Sequence, residues 1–332
     1  MSWLVTGGAG YIGAHIVESL QASGLHPIAL DNLSTGHAHF LPPDVPLVHG
    51  DILDTKLLEN TLRTNHASGV IHVAGYKYAG ESVNRPLHTY EQNVEGTRSV
   101  LDAMHRAGVH RIVFSSSAAV YGTPEVPRVT ESTPKNPTTP YGESKLIGEW
   151  LIRDQAAATR STGHPLQHTS LRYFNVVGSS SERVVDTSPY NLFPLIFRAL
   201  SENVAPVIHG ADYATPDGSA VRDYVHVADI AAAHAVAAKK LSDGEPLLTA
   251  YNLGSGTGLS VRQIMNAARD ITGIAFDPAV GPRRQGDPDR IVASGASATR
   301  DLEWTMRYSV EEMVRSGWAA HRANQQEESD ER

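Results

Sequence analysis

Short apolar runs alternate with amphipathic stretches through the first half of the chain, which predicts strands and helices in turn. The predicted strands are residues 3–6, 27–30, 46–49, 70–73, 111–114 and 169–172. The helical stretches are residues 11–23, 55–63, 91–106 and 141–159. Because parallel strands are joined by helical crossovers, the alternation favours βαβ units and a mainly parallel sheet.

The second half is less regular. Residues 179–191 and 211–218 are polar without clear periodicity and are predicted loops. Helices are predicted over 228–240, from a capping box at Ser260 to about residue 271, and after a second capping box at Ser309. Residues 324–332 are polar and charged, and we expect them to fray. No Gly/Ser/Pro-rich linker divides the chain, so a second lobe is expected to be interleaved with the first.

Composition excludes several function classes. The 332 residues suffice for roughly two domains, or for one domain with an added lobe. The absence of cysteine excludes a disulfide scaffold, a thiolate nucleophile and Cys-ligated zinc. A net charge of −8 argues against nucleic-acid binding, which needs a basic face. The 16 histidines include no His-x-x-x-His pair on a predicted helix with an acid nearby, so no metal is expected.

The hydropathy pattern also bears on location. No secretory signal pattern is recognisable, and no apolar run approaches the ~20 residues that span a bilayer. We therefore expect a cytoplasmic protein with no membrane partner.

A glycine-rich turn joins the first predicted strand to the first predicted helix, with Gly7, Gly10 and Gly13 in Gly-x-x-Gly-x-x-Gly spacing. Such a turn lets the backbone approach a pyrophosphate, and the helix start offers free N–H groups. Asp31 follows 18 residues after Gly13, near the spacing of the acid that holds a ribose 2′-hydroxyl. No arginine lies between Asp31 and Arg63, which favours NAD over NADP. The alternative is an ordinary tight turn.

A second constellation combines serine, tyrosine and lysine. Tyr141 and Lys145 are four residues apart and share one face of a predicted helix. A nearby ammonium is expected to lower the pKa of the phenol toward working pH. The serines at 115–117 directly follow the fifth predicted strand, where a hydroxyl can complete a proton-transfer path. The alternative is a surface Tyr–Lys pair.

Together these motifs resemble the extended short-chain dehydrogenase/reductases, and most specifically the UDP-galactose (UDP-glucose) 4-epimerases. The stretches that carry the resemblance are 6–13, 31–32, 74–77 with 80–82, 114–122, 141–145, 171–175, 213–218, 221–226, 251–256 and 283–287. The resemblance spans nearly all of residues 2–318. It implies a doubly wound parallel sheet that binds NAD, with a smaller interleaved α/β lobe for a nucleotide sugar.

The resemblance implies a redox-neutral mechanism. Tyr141 is the base that takes the proton of the sugar 4-hydroxyl, Ser117 hydrogen-bonds that hydroxyl, and Lys145 holds the nicotinamide ribose. The C4 hydride passes to NAD, the 4-keto sugar turns over, and the hydride returns to its other face. The partners implied are a UDP-sugar and a second copy of the chain, joined through residues 91–106 and 141–159.

The resemblance also implies the binding residues and the domain limits. The cofactor contacts are Gly7, Gly10, Tyr11, Ile12, Gly13, Asp31, Asn32, Leu33, Ser34, Thr35, Gly36, Asp51, Ile52, Val73, Ala74, Gly75, Lys77, Asn93, Tyr141, Lys145 and Phe174. The substrate contacts are Lys77, Ser117, Tyr141, Asn175, Asn191, Leu192, Val207, Ile208, His209, Arg222, Arg284, Asp287 and Ile291. The NAD domain takes residues 1–174 and about 220–256, and the sugar-nucleotide lobe takes 175–219 and 257–323.

Some positions depart from the family pattern and leave alternatives open. Tyr76 and Tyr78 add bulk beside Lys77, and Ile291 is a side chain of intermediate size where a larger aromatic restricts the sugar. A related substrate, a UDP-N-acetylhexosamine or a UDP-pentose, therefore remains an alternative. A 4,6-dehydratase is disfavoured because an acidic pair is replaced by alanines at 118–119. A non-enzymatic NAD(P)-sensing module is disfavoured by the intact Ser–Tyr–Lys set.

Overall fold

A seven-stranded sheet, parallel at every pairing, runs through the centre of the protein in the order β3-β2-β1-β4-β5-β6-β11. Its strands are β1 (Ser2–Thr6), β2 (His26–Asp31), β3 (Leu47–His49), β4 (Ala67–His72), β5 (Arg111–Ser117), β6 (Gln167–Tyr173) and β11 (Ala250–Leu253). The strand order reverses between β1 and β4, which is where open parallel sheets bind ligands. The doubly wound sheet predicted from the sequence is confirmed.

The structure is a computed structural model that describes residues 1–284 and 288–330, with side chains described through residue 326. The helices are α1 (Tyr11–Ala22), α2 (Thr55–Thr64), α3 (Ala79–Ser82), α4 (Pro86–Tyr90), α5 (Gly96–Ala107), α6 (Pro140–Thr159), α7 (Leu192–Ser201), α8 (Val227–Ser242), α9 (Val261–Thr272), α10 (Ala296–Leu302) and α11 (Val310–Asp330). The short strands are β7 (Asn175–Val177), β8 (Val207–His209), β9 (Val221–Arg222), β10 (Tyr224–His226), β12 (Leu259–Ser260), β13 (Ala279–Gly281) and β14 (Arg290–Ile291). One π-helical turn, Glu91–Glu95, joins α4 to α5.

The sheet is buried on both faces because its strands are apolar at successive positions. Along β1, Trp3 and Val5 pack into one core cluster and Leu4 packs into the other. The first cluster includes side chains of α1 and α8, and the second includes side chains of α2 and α5. This two-sided burial holds the strand ends in register, and the candidate site is built on those ends.

A smaller layer is formed by later segments of the chain. Apolar side chains of α7, α9 and α11 share a third cluster with β8 and β10. The chain nevertheless returns to the central sheet at β11, which pairs with β6. The smaller layer is therefore interleaved with the larger one, as expected.

The last helix, α11, has helical backbone to Asp330, within the segment from residue 324 that the sequence predicts to fray. The segment is polar with no Gly or Pro, so nothing in its sequence interrupts the α11 hydrogen-bond ladder. Among the helices described, none is both long and apolar enough to cross a bilayer.

Candidate active site

Most of the predicted cofactor-binding residues gather at one edge of the sheet, where the carboxyl ends of the parallel strands meet. The turn 7–13 follows β1, the segment 31–36 follows β2, and Asp51 and Ile52 follow β3. The segment 73–77 follows β4, Ser117 ends β5, and Phe174 follows β6. Six strands therefore contribute residues to the same edge of the sheet, although these residues are spread over about half of the chain.

The glycine turn after β1 has a backbone conformation that lets a ligand approach the main chain closely. Gly7 has φ +69° and its N–H donates to Leu30 O at 2.8 Å. A Cβ added to Gly13 would lie 1.9 Å from Gly7 O, so only glycine fits there. The helix α1 then begins at Tyr11 with no side-chain cap and no acid in its first turn. Its N–H groups and partial positive charge remain available for an anion.

Asp31 is a buried carboxylate at the end of β2. Its Oδ2 accepts from Ala9 N at 3.0 Å and its Oδ1 accepts from Leu33 N at 2.8 Å. Burial raises the pKa of Asp31, and these backbone hydrogen bonds oppose that shift. A carboxylate can accept about four hydrogen bonds, so acceptor capacity remains for the hydroxyls of a ribose beside the bonds from Ala9, Gly10 and Leu33. Beside it, Asn32 Nδ2 donates to Asp51 Oδ2 at 2.9 Å, which links the ends of β2 and β3.

The segment after β4 is held in place by Asn93 from the π-helical turn. Asn93 Oδ1 accepts from Tyr76 N at 2.6 Å, and Nδ2 donates to Tyr76 O at 3.0 Å and to Ser144 Oγ at 2.8 Å. A Cβ on Gly75 would lie 2.6 Å from Asn93 Oδ1 and 3.9 Å from Lys145 Nζ. The amide, predicted as a cofactor contact, is thus engaged with protein atoms and orders the 73–77 segment.

Ser117, Tyr141 and Lys145 meet where α6 starts beside the end of β5. Thr139 caps α6 by accepting from Gly142 N, which fixes the first turn that carries Tyr141. The Tyr141 side chain hydrogen-bonds to Ser117. The Lys145 Nζ donates to the carbonyl of Ser115 at 3.0 Å and lies 5.9 Å from the Tyr141 ring centroid. The structure therefore brings the predicted trio together.

The electrostatics of the trio differ from the expectation. The sequence predicts that Lys145 lowers the pKa of Tyr141, but burial raises the pKa of Tyr141 and the Ser117 hydrogen bond only opposes that shift. Burial also lowers the pKa of Lys145 to about 8. Desolvation thus disfavours the charged form of both groups, because burial removes each of them from water.

The substrate-side residues lie on β9, β14 and the loops around them. Ile291 is the register partner of Arg222 and packs against the buried cluster that contains Phe174 and Ala118. Arg222 Nη1 donates to Pro288 O at 2.8 Å. Ile291 therefore packs beside Phe174 and Ala118, the residue after Ser117, and Arg222 is its neighbour on β9.

The other predicted substrate residues are more dispersed. Asn191 precedes α7 and donates to Asp186 Oδ2 at 2.8 Å, and Leu192 begins that helix. Asn175 begins β7 and is exposed, as is Arg284. Val207, Ile208 and His209 form β8, which pairs with β13. Asp287 lies outside the described residues.

Two buried polar contacts near the trio were not predicted. Arg172 pairs with Glu149, and Ser115 Oγ lies 2.9 Å from His234 Nε2. The position of Glu149, four residues after Lys145, was the available signal, because it predicts the same helix face. Its partner on β6 was not predictable, because only tertiary packing brings the two together.

In the parts of the chain that the structure describes, no group of three or more His, Asp or Glu side chains is arranged to hold a metal ion. The turn, the uncapped α1 and Asp31 instead fit a dinucleotide. The fold and site define the class of dinucleotide-binding proteins that carry a Ser–Tyr–Lys set.

Comparison with known proteins identifies the family. The profile of the NAD dependent epimerase/dehydratase family matches residues 3–254, and the chain belongs to that family. The UDP-glucose 4-epimerase of Halalkalibacterium halodurans is 42% identical over 328 residues, covering 97% of this chain and 96% of its own. That of Lactobacillus helveticus is 41% identical over 329 residues, covering 98% of each.

Solved structures agree with this assignment. The UDP-glucose-4-epimerase from Stenotrophomonas maltophila, with bound NAD and formylated UDP-arabinopyranose, superposes with a TM-score of 0.93 at 36% identity, covering 98% of this chain and 99% of its own. The Bifidobacterium longum enzyme, in complex with NAD+ and UDP, gives 0.91 at 34% identity, with the same coverage. The family resemblance read from the sequence is confirmed.

The turn geometry predicts that Gly13→Ala abolishes retention of the dinucleotide, because the methyl group would collide with Gly7 O. The measurement is the nucleotide released from purified protein on denaturation. Gly24→Ala is the control: Gly24 also has a positive φ, +74°, but nothing lies within 4 Å of its added Cβ. This control is expected to lose about 1 kcal/mol of stability and to keep the nucleotide. Full retention by Gly13→Ala would contradict the assignment.

Proposed function

We propose that the protein interconverts UDP-galactose and UDP-glucose by inverting C4 of the hexose, with NAD held throughout turnover, in the cytoplasm. The observation that carries the proposal is the meeting of Ser117, Tyr141 and Lys145 at the ligand-binding edge of the sheet. The curated relatives of the same family that match over nearly the full chain bear this enzyme name, which supports the proposal.

The dinucleotide is held by residues that follow β1 to β4. The N–H groups at the start of α1 suit the pyrophosphate, and Asp31 suits the adenosine ribose. When bound, NAD supplies a reversible acceptor for the C4 hydride. Lys145 has an ammonium that is anchored on the Ser115 carbonyl and can reach a ribose hydroxyl with its other donors.

Tyr141 and Ser117 act on the sugar 4-hydroxyl. Ser117 orients that hydroxyl, and the Tyr141 oxygen takes its proton as C4 is oxidised and gives it back as C4 is reduced. Because burial raises the pKa of Tyr141, the phenolate is costly unless donors face it. Ser117 is one such donor, and the positive charge of Lys145 is a second source of stabilisation.

The substrate is held by residues of β7, β8, β9 and β14 and of segments near them. Arg222 and Arg284 suit the diphosphate, because a guanidinium supplies charge and two parallel donors. Asn175, Asn191, Leu192, the β8 residues and Asp287 complete the proposed nucleotide-sugar contacts. Ile291, packed against the Phe174 cluster, sets the size of the sugar pocket. We assign residues 1–174 and about 220–256 to the NAD domain, and 175–219 with 257–323 to the substrate lobe.

Dehydration is the weaker candidate. The strand that ends in Ser117 runs into a 3₁₀ turn, Ala118–Tyr121, whose first two residues carry only methyl groups. Elimination from the 4-keto sugar needs an acid and a base beyond C4, and neither alanine supplies one.

The proposal predicts that purified protein converts UDP-galactose to UDP-glucose without added NAD, as followed by chromatography. Denaturation should release NAD and not NADP, because the Asp31 carboxylate repels a 2′-phosphate. UDP-N-acetylgalactosamine run in parallel tests the wider pocket. The absence of UDP-glucose even after NAD is supplied would refute the proposed function.

A second prediction concerns the base. Tyr141→Phe should lower kcat at least about 100-fold, the lower range for general acid–base catalysis, with little change in KM. Tyr251→Phe is the matched control, because the Tyr251 hydroxyl bonds to Asp301 at 3.1 Å, away from the trio. It should keep the wild-type rate and lose about 1 kcal/mol of stability. A near-wild-type rate in Tyr141→Phe would mean that another group is the base.

A third prediction concerns the proposed homodimer, joined through α5 and α6. Trp150 lies on the outer face of α6 with 46% of its surface exposed, an apolar area that a partner helix would cover. Trp150→Glu should give the monomer mass of 35.8 kDa in light scattering on a sizing column. Leu248→Glu, exposed to 42% on a distant loop, should leave the dimer intact. A monomeric wild type would contradict the dimer.

A further inference from the structure

Glu149 and Arg172 form a buried ion pair directly behind the candidate catalytic residues. Arg172 Nη2 lies 2.5 Å from Glu149 Oε2, and Arg172 Nε donates to Oε1 at 2.8 Å. The Arg172 side chain is only 5% exposed and the Glu149 side chain 10%. A two-bond fork of this kind fixes the angle as well as the distance between its partners. It therefore ties α6, which carries Glu149, to β6, which carries Arg172, in one orientation.

The same carboxylate also holds β5. Ser116 Oγ donates to Glu149 Oε1 at 2.6 Å. Ser116 lies between Ser115, whose carbonyl accepts from Lys145, and Ser117, which faces the candidate base. Glu149 thus holds β5 at Ser116. The residues on either side of Ser116 contact Lys145 and Tyr141.

Arg172 is fixed from its other side as well. Its Nη1 donates to the Tyr121 oxygen at 2.9 Å, and the Tyr121 hydroxyl donates to Asn252 Oδ1 at 2.7 Å. Because a guanidinium only donates hydrogen bonds, the direction of these hydrogen bonds, from Arg172 to Tyr121 to Asn252, is determined. Burial disfavours the charge of Arg172, yet its pKa lies above the ordinary value because Glu149 binds it. Arg172 therefore keeps its charge and its two-bond contact with Glu149.

The rest of the α6–β5 contact does not fix this geometry. Gly148 lets the helix approach closely, since a Cβ there would lie 2.7 Å from the Phe114 ring. An apolar contact of this kind sets the distance between helix and strand, but it has no directional preference along the helix axis. Among the described residues, the hydrogen bonds between α6 and β5 are those of Glu149 and of the trio itself. Hydrogen bonds from Tyr141 N to Ser82 and from Asn93 to Ser144 hold the first turn of α6 against other segments.

We propose that Glu149 and Arg172 are positioning residues, which set the axial position of α6 against β5 and so the approach of Tyr141 to Ser117. The inference rests on the proposed function, because it assigns the pair to that reaction. Neither residue is among the proposed substrate contacts. Their effect passes through the helix that carries the base.

Arg172→Lys tests the proposal because it keeps the charge and loses the fork. A shift of the base by about 1 Å is enough for a loss of about 100-fold in kcat. KM for UDP-galactose should stay within about twofold, because the arginines proposed to hold the diphosphate, Arg222 and Arg284, lie outside α6, β5 and β6. Rates are measured on the NAD-loaded protein well below the unfolding transition of each variant, as determined by circular dichroism.

Two further variants separate positioning from stability. Asp229→Asn breaks a second ion pair, Asp229–Arg307 at 2.8 Å, whose carboxylate is fully buried and away from the trio. It should lower stability and keep kcat. The double variant Glu149→Leu/Arg172→Met replaces the charged pair by apolar side chains, which is often neutral or stabilising. It should fold well and still show the loss of kcat.

A wild-type kcat in Arg172→Lys, or in the well-folded double variant, would overturn the positioning role. An equal fall of kcat in Asp229→Asn and in Arg172→Lys would also overturn it, because the loss of any buried ion pair would then be enough to lower kcat. If Arg172→Lys does not fold, the double variant decides. A wild-type protein that fails to convert UDP-galactose refutes the proposed function itself, a result that the variants cannot produce.

Discussion

The close approach of α6 to the end of β5 is the constraint on which the site depends. Glycine at 148 removes the side chain that would hold the helix away from Phe114, and Lys145 then reaches the Ser115 carbonyl. The parallel sheet supplies the fixed partner for this contact, because β5 is buried on both faces between β4 and β6. Without that rigid strand, the spacing of Tyr141 and Lys145 on their helix would define no site.

This closeness has an electrostatic cost. Tyr141 and Lys145 are desolvated, so burial raises the pKa of the phenol and lowers that of the ammonium to about 8. A bound dinucleotide and sugar remove more water, which strengthens every remaining donor to the phenolate. The phenolate of Tyr141 is therefore stabilised only when the ligands are bound. This suits a reaction whose ketone intermediate must not escape.

Local patterns predicted a large part of this arrangement. The glycine turn, Asp31 at the end of a strand and the Tyr–Lys spacing are each encoded within a few residues, and the structure places all three at one sheet edge. The prediction of a lowered pKa for Tyr141 was wrong, because burial raises this pKa and burial depends on neighbours far apart in the chain. The engagement of Asn93 with Tyr76 and Ser144, and the pairing of Glu149 with Arg172, were missed for the same reason.

The net charge of −8 is compatible with two anionic ligands because electrostatics at this range are local. At physiological ionic strength, charges separated by more than about 8 Å in solvent are largely screened. Surface acids such as Asp102, paired with Arg106, therefore contribute little at the cleft. The start of α1 has no acid in its first turn, and Arg222 on β9 is the register partner of Ile291. The potential that a diphosphate meets is set by these groups and not by the sum over the chain.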